Sequence, residues 1–209
     1  MTATLGPGKL GPSIMVNIKR PPARITVALL LTLGALISCG DSLDTSFPPP
    51  EIPFDATLYD LIAGPIDRSS AFDVVAAQGL NLPRTVRVDQ TENWDIAFAA
   101  IEGEPFFLPR GFFETLAPSA GILEMQGDFE NITLLPGDSE FYEYEEPVPV
   151  NPGSTYAIRS RPNPTLSLPC HIFLKLVVDS VGGDPMRISF RFLWNPNCDD
   201  TNVASGDGT

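Results

Sequence analysis

Histidine occurs once in this chain, as His171, and cysteine three times, as Cys39, Cys170 and Cys198. One histidine excludes an H-E-x-x-H zinc site and any His-rich metal site. A Ser-His-Asp triad would have to use His171, and no G-x-S-x-G elbow is present to present a nucleophile. No C-x-x-C exists, which removes the usual redox or structural zinc motif. No loop has the D-x-[DN]-x-[DN]-G spacing that an EF-hand needs, so calcium has no motif behind it. Cations are scarce, 13 Lys+Arg against 26 Asp+Glu, and nucleic-acid binding requires a basic face. Helix-period patterns are rare, and there is no internal repeat and no second transmembrane segment.

What is present begins with Arg24 to Gly40, RITVALLLTLGALISCG. Lys19, Arg20 and Arg24 precede an uncharged apolar run, Ile25 to Ile37. Cations hold the start of such a segment on the cytoplasmic side. The run is short for a spanning helix, which needs ~20 residues, and it ends in Leu36-Ile37-Ser38-Cys39. This is a bacterial lipobox: small Ser38 opens the bond before Cys39, whose thiol carries the lipid. Residues 1–38 are thus expected to be a lipoprotein signal peptide, with Met15 a possible true start. Gly40, rather than Asp, follows the lipid-bearing Cys39 and favours outer-membrane sorting by resemblance to bacterial lipoproteins. Several acyl chains on one terminus hold firmly, since each buried CH₂ contributes ~0.8 kcal/mol. Cleavage removes Lys9, Lys19, Arg20 and Arg24 and no acid, leaving 9 Lys+Arg of the 13 against 26 Asp+Glu, a formal charge of −17.

Residues 39–53, with Pro48-Pro49-Pro50, read as a semi-rigid tether. Residues 54–199 are long enough for one domain with a real core, and 200–209 are expected to be a flexible tail. The 22 prolines and the missing helix periodicity point to an all-β domain of mainly antiparallel sheet, with short strands and Pro/Gly-rich turns. Ser70 to Gln78 is open between strand and short helix, with Val74 and Val75 favouring strand. Thr85 to Asp89 and Trp94 to Phe98 alternate and predict a hairpin, with Trp94, Ile96 and Phe98 inward and Asp95 outward. Glu104 to Pro109, Phe112 to Leu116 and Ile122 to Met125 are expected strands. Phe129 to Leu135 is left open between helical turn and strand. Ser139 to Glu145, SEFYEYE, alternates acids with aromatics on an expected sheet edge. Thr155 to Ser160, His171 to Asp179 and Met186 to Trp194 keep period two longest and predict a three-stranded meander turning at Gly182-Gly183-Asp184-Pro185.

Few residues offer chemistry. His171 falls on the polar side of its strand, so a solvent-facing role is expected over a ligand or base. Glu143, Glu145 and Glu146 are neighbours on one stretch, whereas glycosidase carboxylates come from separate elements; a solvated edge is the favoured reading. Arg159 and Arg161 are candidates for gripping an anion, with ion pairing to acids favoured. Trp94 and Trp194 read as core. With Cys39 lipidated, Cys170 and Cys198 are left as a disulfide pair in an oxidising compartment. In an ideal hairpin Cys170 would face about Asn195, and a curl through Asn195-Pro196-Asn197 would bring Cys198 into range.

WDIAF at 94 to 98, after a Thr/Asn turn, resembles the W-D-I-A-F stretch of HmuY-like lipoproteins, a haem-binding family of mostly β fold. The runs Tyr156-Ala157-Ile158-Arg159-Ser160, Phe173-Leu174-Lys175-Leu176 and Ile188-Ser189-Phe190-Arg191-Phe192 are similar to that family's closing strands. The resemblance implies an all-β lipoprotein and, through the family's two axial histidines, haem. This chain has one histidine, so no binding residue carries over. A second axial ligand would have to be Met125 or Met186. The expectation is therefore a non-enzymatic binding or interaction module, lipid-anchored in the outer membrane and facing either the periplasm or the exterior. It would have no catalytic residues, no metal site and no nucleic-acid partner. Its partners would be the membrane and an outer-membrane receptor or a small hydrophobic ligand. The second expectation is a HmuY-like carrier of haem or a hydrophobic cofactor. A secreted hydrolase is the third.

Overall fold

Alternating side chains and proline-punctuated turns assemble two antiparallel sheets packed face to face. The computed structural model describes residues 47–77, 81–162 and 170–204. Ten strands run in chain order: β1 (Phe54–Tyr59), β2 (Ala71–Asp73), β3 (Arg84–Val86), β4 (Ile96–Ile101), β5 (Glu104–Pro109), β6 (Gly121–Met125), β7 (Val148–Pro149), β8 (Thr155–Arg159), β9 (Phe173–Gly182) and β10 (Arg187–Asn195). One sheet has the order β1-β10-β9-β8-β6 and the other β3-β2-β4-β5-β7. No helix among the described residues is long and apolar enough to cross a membrane.

The meander β8-β9-β10 is present, with Ile172, Leu174, Leu176 and Val178 facing Ile188, Phe190, Phe192 and Trp194 in one core. The second sheet adds Phe72, Ile96, Phe98 and Phe107 to that core. Edge-to-face pairs cross between the sheets: Phe72 with Phe190 and Phe192 at 5.4 and 5.1 Å, and Phe107 with Tyr156 at 5.2 Å. Burying each such side chain contributes about 1.5–3 kcal/mol.

Several expectations are corrected. β3 and β4 do not form a hairpin; both pair with β2, Ala71 facing Val86 on one side and Ala97 on the other. Val74 and Val75 do not extend that strand, because the chain turns into a 3₁₀ helix at Val75–Ala77. Asp95 does not point outward. It precedes β4, escapes the strand's alternation and is fully buried. Trp94 is buried on the other face of that sheet, over Ala97, Ala99 and Leu108. Phe112 to Leu116 is not a strand; a 3₁₀ helix covers Arg110–Phe112, and Phe113 packs edge-to-face on Trp94.

The region Phe129 to Leu135 resolves into a 3₁₀ helix, Phe129–Asn131, and a bridge of Leu134 with Asn202. Ser139 to Glu145 is also not a strand. It is a 3₁₀ helix, Ser139–Phe141, followed by a single bridge of Glu143 to Ile122 at the sheet edge. These two excursions cover the outer face of β8 and β9, where Ile132, Leu135, Tyr142, Ala157, Phe173 and Val203 cluster. Val203 is fully buried, so the start of the expected tail belongs to the domain. Phe47, within the expected tether, is also tied to the domain: its amide donates to Asn197 Oδ1 at 2.8 Å, and Asn197 Nδ2 donates back to the Phe47 carbonyl at 2.7 Å.

Candidate functional site: a cleft beside the disulfide

Strand β8 ends at Arg159, and Arg159, Ser160 and Arg161 go to three different environments. Ser160 is fully buried and continues the ladder to Ile172: its amide donates to the Ile172 carbonyl at 3.0 Å, and its Oγ accepts from the Ile172 amide at 2.8 Å. Its carbonyl accepts from His171 Nδ1 at 2.7 Å. A carbonyl only accepts, so Nδ1 is the donor in this bond. The His171 amide donates to Asp199 Oδ1 at 3.1 Å, and the Asp199 amide donates to the His171 carbonyl at 2.9 Å. His171 is therefore half-buried and fixed at three points, not a solvent-facing strand residue; β9 starts only at Phe173.

The corner that fixes His171 is the sequence Asn197-Cys198-Asp199. Asn197 holds Phe47, Cys198 meets Cys170, and Asp199 holds His171. The two sulfurs lie 2.00 Å apart with Cα atoms at 5.2 Å. The hairpin turns between Asp184 and Pro185, with Gly182 facing Arg187, and a bulge between Ser189 and Phe190 then moves the register by one residue, so that Phe173 faces Asn195. Continuing that register by three residues sets Cys170 against Cys198 directly, where an ideal turn at Gly182-Gly183 would have set it against Asn195. Cys39, the expected lipid carrier, lies outside the described residues.

Arg161 does not grip a ligand. Its guanidinium donates to Asp95 Oδ2 at 2.8 Å and Asp73 Oδ1 at 2.9 Å, and its amide donates to Asp95 Oδ1 at 2.8 Å. The amides of Val74 and Val75 also donate to Asp95 Oδ2, and Arg84 donates to Asp73 Oδ2 at 3.3 Å. Burial pushes the Asp95 carboxyl up, against the pull of Arg161 and of the amides of Arg161 and Val74. Each oxygen of Asp95 is already engaged, so the cluster ties the end of β8 to the opposite sheet and leaves no carboxylate free for acid–base work.

Arg159 is different. Among the described residues its side chain makes one hydrogen bond, from a terminal nitrogen to the Tyr144 hydroxyl at 3.3 Å, and its Nε is buried with no partner. None of the ion pairs among the described residues involves it. Tyr144 is placed by two features. Gly121, opposite Arg159 on β6, has no side chain and lets the ring lie against the strand. Glu143 Oε1 accepts from the amides of Tyr144, Glu145 and Glu146, each at 2.9 Å. Those amides, chiefly of Glu145 and Glu146, hold its carboxyl below the usual glutamate range. The three glutamates therefore form a turn rather than a catalytic pair.

Arg159, Tyr144 and His171 line an open cleft of about 390 Å³ with Ser119, Ser139, Pro118 and Pro162. The arrangement offers a guanidinium with no carboxylate partner among the described residues, a phenol, two hydroxyls and an imidazole. No cluster of three His, Cys, Asp or Glu suited to a metal occurs among the described residues. Met186 packs on the main core, and Met125 packs with the outer cluster around Tyr142 and Phe173. Trp94 and Trp194 are both buried.

His171 and Arg159 were named by the sequence; Tyr144, Ser119 and Ser139 were not. The available signal for Tyr144 was Gly121 heading the strand Ile122-Leu123-Glu124-Met125. Comparison with family models, with curated proteins and with solved structures finds no match for this chain.

Proposed function

We propose that this chain is a lipid-anchored envelope protein, sorted to the outer membrane through Cys39 and Gly40, whose β-sandwich is a non-enzymatic binding module with the Arg159–His171 cleft as its ligand site. One observation carries the reading. Three successive residues, Asn197, Cys198 and Asp199, hold Phe47 of the tether, the neighbour of the site histidine and that histidine itself. A cleft fixed to the point where the tether enters is suited to presenting a ligand at a membrane. A receptor in the same membrane is the natural recipient.

The experiment is a ligand and substrate screen on the full chain in detergent. Thermal stabilisation by a ligand, without turnover of an ester and glycoside panel, supports a binding module. Turnover that disappears in His171→Ala would replace it with a hydrolase.

A HmuY-like haem carrier is the second reading. The WDIAF stretch supports it, and so does His171, whose Nδ1 is held by a carbonyl in the manner of an axial ligand. Its weakness is the second ligand, since Met125 and Met186 both have packing roles. A haemin titration giving a sharp low-spin spectrum, lost in His171→Ala, would promote it.

A further inference from the structure

We infer that the cleft binds a small carboxylic acid, its carboxylate seated on Arg159. This rests on the proposal that the cleft is a binding site and names the ligand class. A half-buried guanidinium normally finds a carboxylate, because leaving its donors unpaired is costly. Here the chain has acids in excess, yet among the described residues the Arg159 guanidinium meets a phenol oxygen at 3.3 Å and no carboxylate, and no described residue lining the cleft is acidic. The other aspartate-rich corner took Arg161 instead. Arg159 is thus held in place by Tyr144 with its charge unspent.

Charge and composition select the anion. The cleft supplies one permanent cation and the hydroxyls of Ser119, Ser139 and Tyr144. That matches a monoanion whose two oxygens accept from a guanidinium and neighbouring hydroxyls. Asp138 and Glu140 flank Ser139, and Glu145 and Glu146 follow Tyr144; all four are exposed. Exposed acids adjacent in sequence to the lining residues repel a phosphate dianion more than a monocarboxylate. Pro118 and Pro162 give the ligand's carbon skeleton apolar walls.

The test uses the full chain in detergent, with sodium acetate, sodium benzoate and sodium phosphate at constant ionic strength, read by amide chemical shifts. Saturable binding of benzoate and acetate with Kd on the order of 1 mM is expected for an open, solvated site. Arg159→Gln should weaken it at least ~10-fold and Arg159→Lys much less, since Lys keeps the charge without the fork. Should Arg159→Gln fail to fold, Tyr144→Phe keeps the packing and removes the phenol that orients the guanidinium, and a several-fold weakening is expected. No saturable response to either carboxylate overturns the inference, as does tighter binding of phosphate or an unchanged Kd in the variants. A chain that ignores carboxylates but binds haemin or a neutral hydrophobic ligand loses this inference and keeps the binding-module reading. Turnover of the ester or glycoside panel removes that reading itself.

Discussion

Gly121 and Tyr144 are in contact as backbone and ring: a Cβ on Gly121 would stand 2.8 Å from the Tyr144 Cζ and 2.6 Å from the Tyr142 Cβ. Nothing larger than hydrogen fits between strand and ring. Gly121→Ala should therefore displace the segment that carries Tyr144. Overpacking of this kind costs about 1–3 kcal/mol. The expected result is a lower thermal midpoint together with altered amide shifts at Tyr144 and Arg159. An unchanged midpoint and unchanged shifts would show that the ring does not lie against the strand.

Asp95 is the buried anchor of the Arg161 cluster. Asparagine in its place would turn an amide donor toward donors that now find an oxygen, and would leave Arg161 with Asp73 alone. Breaking a buried pair by removing one partner costs about 3–5 kcal/mol. Asp95→Asn should lower the urea midpoint accordingly with little change in slope. A shift within ±0.5 kcal/mol would mean the cluster is dispensable.

Lys175 is the only lysine after residue 19, and it is 2 % exposed. Its ammonium donates to the carbonyls of Phe129 and Ile132 at 2.8 and 2.6 Å and lies 4.6 Å from the Phe129 ring centroid. Burial lowers its pKa, with Glu130 pulling the other way. If Cys39 is fully acylated, an amine-reactive reagent should leave the native protein unlabelled and add one label after denaturation. Rapid labelling of Lys175 in native buffer would contradict its burial.

Glu143 gives a pH dependence. Its folded pKa is lowered, so it contributes stability that is fully present above the ordinary glutamate pKa and is lost as pH falls through the lowered value. Wild type should therefore exceed Glu143→Gln in stability at neutral pH, and the two should converge in acid. A constant gap down to pH 2 would show that the carboxylate's charge is not what the three amides recognise.

Much of one sheet was legible in the sequence because β9 and β10 are long and keep period two on a face that enters the core. In the other sheet Glu104 to Pro109 was legible as β5, but the pairing order was not. β2 and β3 have three residues each, too few for periodicity, and Thr85 to Asp89 and Trp94 to Phe98 alternate well enough to suggest pairing with each other. Only the tertiary fold inserts Ala71–Asp73 between them. Asp95 misled for a related reason: strand alternation was extended one residue past the strand, into a position whose four donors come from remote segments. The cleft was half legible. Arg159 and His171 were visible as candidates, but whether each arginine finds an acid is decided by where Asp73 and Asp95 fold, and local sequence does not encode that. The disulfide was legible by elimination, while its register depended on a turn centred between Asp184 and Pro185 rather than at Gly182-Gly183, and on a one-residue bulge beyond it.

The central claim is a binding domain carried on a lipidated Cys39. Intact mass measurement of the full chain, expressed in a bacterium and extracted from membranes with detergent, tests it most directly. The account predicts a polypeptide beginning at Cys39 with diacylglyceryl and N-acyl mass added, and no such species from Cys39→Ala. A membrane-extracted chain that begins elsewhere, or an unmodified Cys39, would contradict it.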